Sequence, residues 1–84
     1  MVWKIEWHPQ AFKRLKVLPF NLQERIMRRV RKLEDNPFHF LKHFEGRLYK
    51  IRIGDYRALV SVDFKTKTIM IDVFDHRGRI YKRV

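Results

Sequence analysis

The spacing of apolar residues changes along this chain, from two to three-or-four and back to two. Val2 to Trp7 alternates as Val-Trp-Lys-Ile-Glu-Trp and predicts an opening strand. Pro9 suits the first position of a helix, and Ala11, Phe12, Leu15 and Leu18 follow at helical spacing. Pro19 ends that helix. Asn21, with Glu24 three residues on, matches a capping box in its Asn form. Leu22, Ile26, Val30 and Leu33 then form one apolar stripe, with Arg25, Arg28, Arg29, Arg31 and Lys32 mostly off it. Asn36-Pro37 closes this second helix. Two short helices, each with one apolar stripe, predict a helical hairpin laid on a sheet.

Residues 38–46 read as a loop with three aromatics, two histidines, Lys42 and Glu45. From Leu48 the period of two returns: Leu-Tyr-Lys-Ile-Arg-Ile, then Gly54-Asp55, then a second strand from Tyr56 to about Val62. With Gly54-Asp55 as a two-residue loop, Ile53 pairs with Tyr56, Arg52 with Arg57, Ile51 with Ala58 and Lys50 with Leu59. One face then carries Tyr49, Ile51, Ile53, Tyr56 and Ala58, a core surface. The other carries Lys50, Arg52 and Arg57. Like charges opposed across a sheet are unfavourable. A cationic cluster that weakens its own hairpin is a candidate anion site.

Asp63 to Lys67 reads as a turn, Thr68 to Phe74 as another strand, and Asp75 to Arg79 as a polar turn containing Gly78. Ile80 to Val84 reads as a short tail, either a fifth strand or a final helical turn. The expected fold is therefore α+β: an N-terminal strand, a helical hairpin, then a 3–4-strand antiparallel meander, all in one sheet with the helices on one face. Residues 1–84 form a single domain, without repeat or linker.

Composition sharpens this picture. Twenty Lys and Arg against nine Asp and Glu give a formal charge of +11, which favours polyanions, nucleic acid first. The bland alternative is a merely solvated basic surface. Absence of cysteine excludes disulfides and thiolate metal sites. The four histidines are scattered, so neither metal nor cofactor is expected. No segment approaches the ~18 apolar residues needed to cross a bilayer, and no signal-peptide core follows Met1, so the expected location is the cytoplasm.

No phosphate loop or Ser/Cys nucleophile motif is present, which leaves the basic sheet face and the segment ending at Tyr81. Cutting RNA needs neither metal nor protein nucleophile, because the ribose 2′-hydroxyl can attack its own phosphate. Arg and Lys donors around that phosphate stabilise the charge that develops, and an aromatic ring holds a splayed base by stacking. Lys50, Arg52, Arg57, Arg77 and Tyr81 are groups of these kinds. Composition alone does not separate cutting from simple RNA binding.

The chain resembles the RelE/ParE superfamily of toxin–antitoxin toxins over nearly its whole length. The resemblance rests on an ordered set of segments. These are Ala-Phe-Lys-Arg-Leu, a Leu-Pro helix break, a second helix ending in Asn-Pro, and Leu41-Lys42-His43-Phe44-Glu45-Gly46. Leu-Tyr-Lys-Ile-Arg-Ile-Gly-Asp-Tyr-Arg-Ala-Leu-Val and His-Arg-Gly-Arg-Ile-Tyr-Lys-Arg follow. It implies the RelE branch, messenger-RNA interferases that cut codons in the ribosomal A site and are held inactive by an antitoxin. By position, it implies that Lys50 and Arg52 activate the 2′-hydroxyl and bind the scissile phosphate. Arg57 would neutralise the phosphorane, Arg77 would stabilise the transition state or protonate the leaving group, and Tyr81 would stack on the substrate nucleotide.

Arg52 departs from the pattern, because the second basic position is often Lys. Arginine stays protonated and anchors phosphate without serving as general base, which leaves Lys50 or His76 for that task. A YoeB-like branch uses a Glu and a His as base and acid, for which Glu45 and His76 stand as second-tier candidates, with Lys42 and Arg79 beside them. The resemblance implies a monomeric toxin, a RelB-like antitoxin, and a higher-order complex of the two. It also leaves two other outcomes: a ParE-like inhibitor of DNA gyrase that cuts nothing, and a degenerate relative that only binds RNA or a partner.

Overall fold

A computed structural model describes residues 2–80 of the chain. It contains β1 (Lys4–Trp7), α1 (Pro9–Lys16), α2 (Phe20–Arg31), a 3-10 turn (Lys32–Glu34) and α3 (Pro37–Phe40). Four strands follow: β2 (Lys42–Glu45), β3 (Leu48–Ile53), β4 (Tyr56–Asp63) and β5 (Thr68–His76). They form one five-stranded sheet in the order β1-β5-β4-β3-β2. β1 runs parallel to β5, and every other neighbour is antiparallel. The fold is α+β, as the order of sequence periods implied.

Helix α1 begins at Pro9, where the missing N–H is no loss, and the His8 ring caps it by accepting from the Gln10 N–H at 3.2 Å. Helix α2 starts one residue before the expected box. Its N-cap is Pro19, which makes no side-chain cap, and Asn21 Oδ1 accepts instead from the adjacent Leu22 N–H. Most of the apolar stripe positions do what their spacing asks: Ala11 and Leu15 of α1, Ile26 and Val30 of α2, and Leu33 are buried, whereas Phe12 is exposed. They pack on Ile51, Ile53, Ala58, Val60, Ile69, Ile71 and Phe74 of the sheet, with Tyr49 and Tyr56 at the margin.

Residues 38–46 are not a plain loop. Pro37 opens the single turn α3, and Lys42–Glu45 pairs with β3 as an edge strand. A four-residue strand broken by a bulge between His43 and Glu45 carries too little alternation to be read from sequence. The meander therefore has four strands, the fourth being β2. Of the tail expected at Ile80 to Val84, as a fifth strand or a final helical turn, Ile80 is buried and residues 81–84 lie outside the described residues.

Strand β5 runs two residues further than expected, to His76, and carries a bulge. Leu59 faces Val73 but Val60 faces Ile71, which leaves Asp72 as the extra residue. Strict alternation from Ile69 and Ile71 would have placed Val73 and Asp75 on the helix face. The bulge reverses this: Phe74 enters the core at 1% exposure, and Asp75 turns to the opposite face, across from Arg57. On that opposite face Leu59 is fully buried, and Ile80 just beyond β5 is buried too, both outside the helix-side core. Among the described residues no helix is long and apolar enough to cross a membrane.

Candidate functional site

The site is built on the β3–β4 hairpin, whose register is the one expected: Lys50–Leu59, Ile51–Ala58, Arg52–Arg57 and Ile53–Tyr56. Gly54 takes a φ of +60°, while Asp55 stays outside the left-handed region. That combination marks a type II′ turn, which needs glycine at its first central position. Cross-strand partners share a face with Cβ atoms about 5 Å apart, so Arg52 and Arg57 meet side by side.

Edge strand β2 adds a third row by setting Lys42 opposite Lys50. Phe40, Lys42, Lys50, Ile51, Arg52 and Arg57 together line a shallow groove of about 280 Å³. Four of its six lining residues are cations and none is acidic. Among the described residues no carboxylate forms an ion pair with any of the four. Arg57 pairs with neither Asp55 nor Asp72; its Nη1 donates to the Gly54 and Tyr56 carbonyls at 2.7 and 2.8 Å. Those bonds pull the guanidinium toward the turn without neutralising it.

The other candidates do not line this groove. Arg77 sits at the hairpin tip, where its N–H donates to the Asp55 carbonyl at 2.9 Å and its guanidinium lies 3.9 Å from the Asp55 carboxylate. Arg79 lies 3.8 Å from Asp75, the cross-strand partner of Arg57. Glu45 pairs with Leu48, two residues along β3 from Lys50, or about 7 Å at strand rise, and does not line the groove. Tyr81 lies outside the described residues.

His76 is separated from the groove altogether. It pairs with Tyr56, and its ring meets that of Tyr56 edge-on at 5.5 Å. It lines a helix-side cavity with Arg25, Arg29 and Ile26. The β5 bulge is the cause, since it exchanges the two faces of the strand before His76 is reached. Its Nδ1 accepts from the Gly78 N–H at 3.2 Å, a bond within the turn.

Phe40 is the residue that sequence reasoning missed. It is one of three aromatics in a stretch that reads as loop, and only the α3 turn and the β2 pairing bring it beside four cations. Phe40 is 37% exposed, and its ring packs at 84° to that of His39, with centroids 4.8 Å apart. Among the described residues no three His, Cys, Asp or Glu side chains gather as a metal-holding group.

Residues 5–81 match the family described as ParE toxin of type II toxin-antitoxin system, parDE. Among solved structures, a chain of the archaeal RelE–RelB complex from Pyrococcus horikoshii OT3 is 33% identical, with a TM-score of 0.77 over 94% of this chain and 99% of that one. A chain of the Mycobacterium tuberculosis RelBE2 toxin–antitoxin complex has a TM-score of 0.82 at 22% identity, over 92% of this chain and 100% of that one. A chain of the Methanococcus jannaschii RelB–RelE complex has a TM-score of 0.70 at 24% identity, over 94% and 98%. The last two speak for the fold alone. No curated protein sequence matches the chain. The chain belongs to the RelE/ParE superfamily of toxins from type II toxin–antitoxin systems, and its fold is RelE-like.

Proposed function

We propose that this toxin is a ribosome-dependent endoribonuclease that cuts translated mRNA in the A site and so stops translation. The observation that carries this reading is the groove in which Lys42, Lys50, Arg52 and Arg57 converge without a carboxylate. The resemblance implies that non-nuclease relatives of the ParE kind tend to lack the catalytic set Lys50, Arg52, Arg57, Arg77 and Tyr81, all of which this sequence carries. Three cations on a hairpin that they weaken, with Lys42 beside them on the edge strand, suit a phosphate whose negative charge grows during reaction.

In the proposed reaction the ribose 2′-oxygen attacks its neighbouring phosphorus and the bond from phosphorus to the 5′-oxygen breaks. The products are a 2′,3′-cyclic phosphate, open to hydrolysis to a 3′-phosphate, and a 5′-hydroxyl. Arg52 and Arg57 clasp the non-bridging oxygens and stabilise the phosphorane. Lys50 is the candidate for the proton of the 2′-hydroxyl, because Arg52 stays charged and His76 lies on the other face. Arg77, at the hairpin tip, is the candidate that gives a proton to the departing 5′-oxygen and regains one from water, and Phe40 offers a ring to the base beside the phosphate. The reaction draws on no metal or cofactor. The partner of the uninduced state is a RelB-like antitoxin, in keeping with RelB in the related complexes, and it covers the basic face.

The test is growth after induction without antitoxin. The wild type is expected to arrest growth, and Arg57→Ala to abolish the arrest while still binding antitoxin. Full arrest by a stably expressed Arg57→Ala variant would contradict the assignment.

A further inference from the structure

We propose that Asp75 is a positioning residue that holds Arg79 beside Arg57 at the rim of the phosphate groove. Among the described residues it is the one charged side chain that is buried, at 6% exposure. A carboxylate removed from water is unfavourable unless cations and donors meet it. Here Arg14 Nη1 lies 3.7 Å from Oδ2 and Arg79 Nε lies 3.8 Å from Oδ1. The His76 N–H donates to Oδ1 at 2.7 Å.

A buried acid is a poor choice if this face needs only positive charge. It suits a face where charge must also be placed. Asp75 is the cross-strand partner of Arg57, so a side chain held by its carboxylate is held next to Arg57. Arg79 follows in the turn after β5, and its side chain is 70% exposed. With Nε toward Asp75, its Nη donors remain available to a phosphate oxygen. Arg14 supplies the second anchor, from helix α1, so the carboxylate ties the helical layer to the groove rim. The bulge at Asp72 belongs to this arrangement, because without it Asp75 would face the helices.

The proposal rests on the nuclease reading for its cleavage readout alone. A 2′-O-methyl RNA, which lacks the attacking hydroxyl, gives a binding readout independent of it. Asp75→Asn, Asp75→Glu, Arg79→Ala and the Asp75→Asn/Arg79→Ala double variant are compared for both. Asp75→Asn is expected to lower RNA affinity and kcat about tenfold each, the size of one charge-assisted contact. It should add nothing further in the Arg79→Ala background, and Asp75→Glu should recover part of the loss. Wild-type behaviour of Asp75→Asn, or losses that simply multiply in the double variant, would overturn the proposal.

Should Asp75→Asn fail to fold, Arg79→Ala and Asp75→Glu decide: reduced RNA binding by Arg79→Ala, with Asp75→Glu binding better than Arg79→Ala, supports the proposal, and wild-type binding by Arg79→Ala overturns it. If the wild type cuts no translated mRNA, the nuclease reading falls, and the same binding comparison still decides on Asp75. A wild type that does not bind the 2′-O-methyl RNA overturns the proposal as well.

Discussion

Arg52 and Arg57 stand directly opposite each other across the β3–β4 ladder, one residue pair from the turn. No acidic side chain lines the groove they share with Lys42 and Lys50. Opposed like charges are unfavourable in a sheet, and a bound phosphate relieves them. Arg52→Thr is therefore expected to stabilise the fold by up to about 1 kcal/mol, since it removes the repulsion and keeps good strand propensity. The same change is expected to cut activity by about a hundredfold, the scale of one lost donor to a developing oxyanion. Urea unfolding beside a cleavage assay checks both, and a destabilised Arg52→Thr would show that the pair does not repel.

Gly54 holds the turn that brings these arginines together. Its φ of +60° is what a side chain resists; open space surrounds the position where a Cβ would stand. Gly54→Ala is expected to lose about 1–2 kcal/mol from backbone conformation alone. Because Arg57 donates to the Gly54 carbonyl, the loss should extend to RNA binding. Thermal melts and RNA titration of this variant check the two effects, and an unchanged melting temperature would contradict the strained-turn argument.

Phe40 tests the proposed base-binding side of the groove. Base–aromatic stacking is worth about 1–3 kcal/mol per base. Phe40→Ala should weaken RNA binding accordingly, while Phe40→Trp should retain it and report binding through its fluorescence. Equal affinities of Phe40→Ala and the wild type would remove the ring from the site.

What the sequence disclosed followed from local rules, and what it hid depended on pairing. The Gly54-Asp55 turn fixes the hairpin register, so Lys50, Arg52 and Arg57 are legible as one face from residue order alone. The stripes of α1 and α2 are legible for the same reason: period and burial coincide at Leu15, Ile26, Val30 and Leu33. Strand β2 is not, because four residues with a bulge show no period; Phe40 is lost with it, and Lys42, a candidate from the resemblance, gains its place opposite Lys50 only through the pairing. His76 and Asp75 exchange faces because of one extra residue at Asp72, and no propensity marks that bulge. Asp75 consequently reads as an ordinary turn acid.

The central claim is cutting of translated mRNA, and mapping mRNA 5′ ends by primer extension tests it most directly. The purified chain is added to a translation reaction, with parallel reactions lacking ribosomes, some of these containing EDTA. Chelation is confined to the ribosome-free reactions because it dismantles ribosomes. The expected result is new 5′ ends inside translated codons that appear only with ribosomes. Intact mRNA under continuing translation would contradict the claim and bring gyrase inhibition, or a binding-only role, to the front.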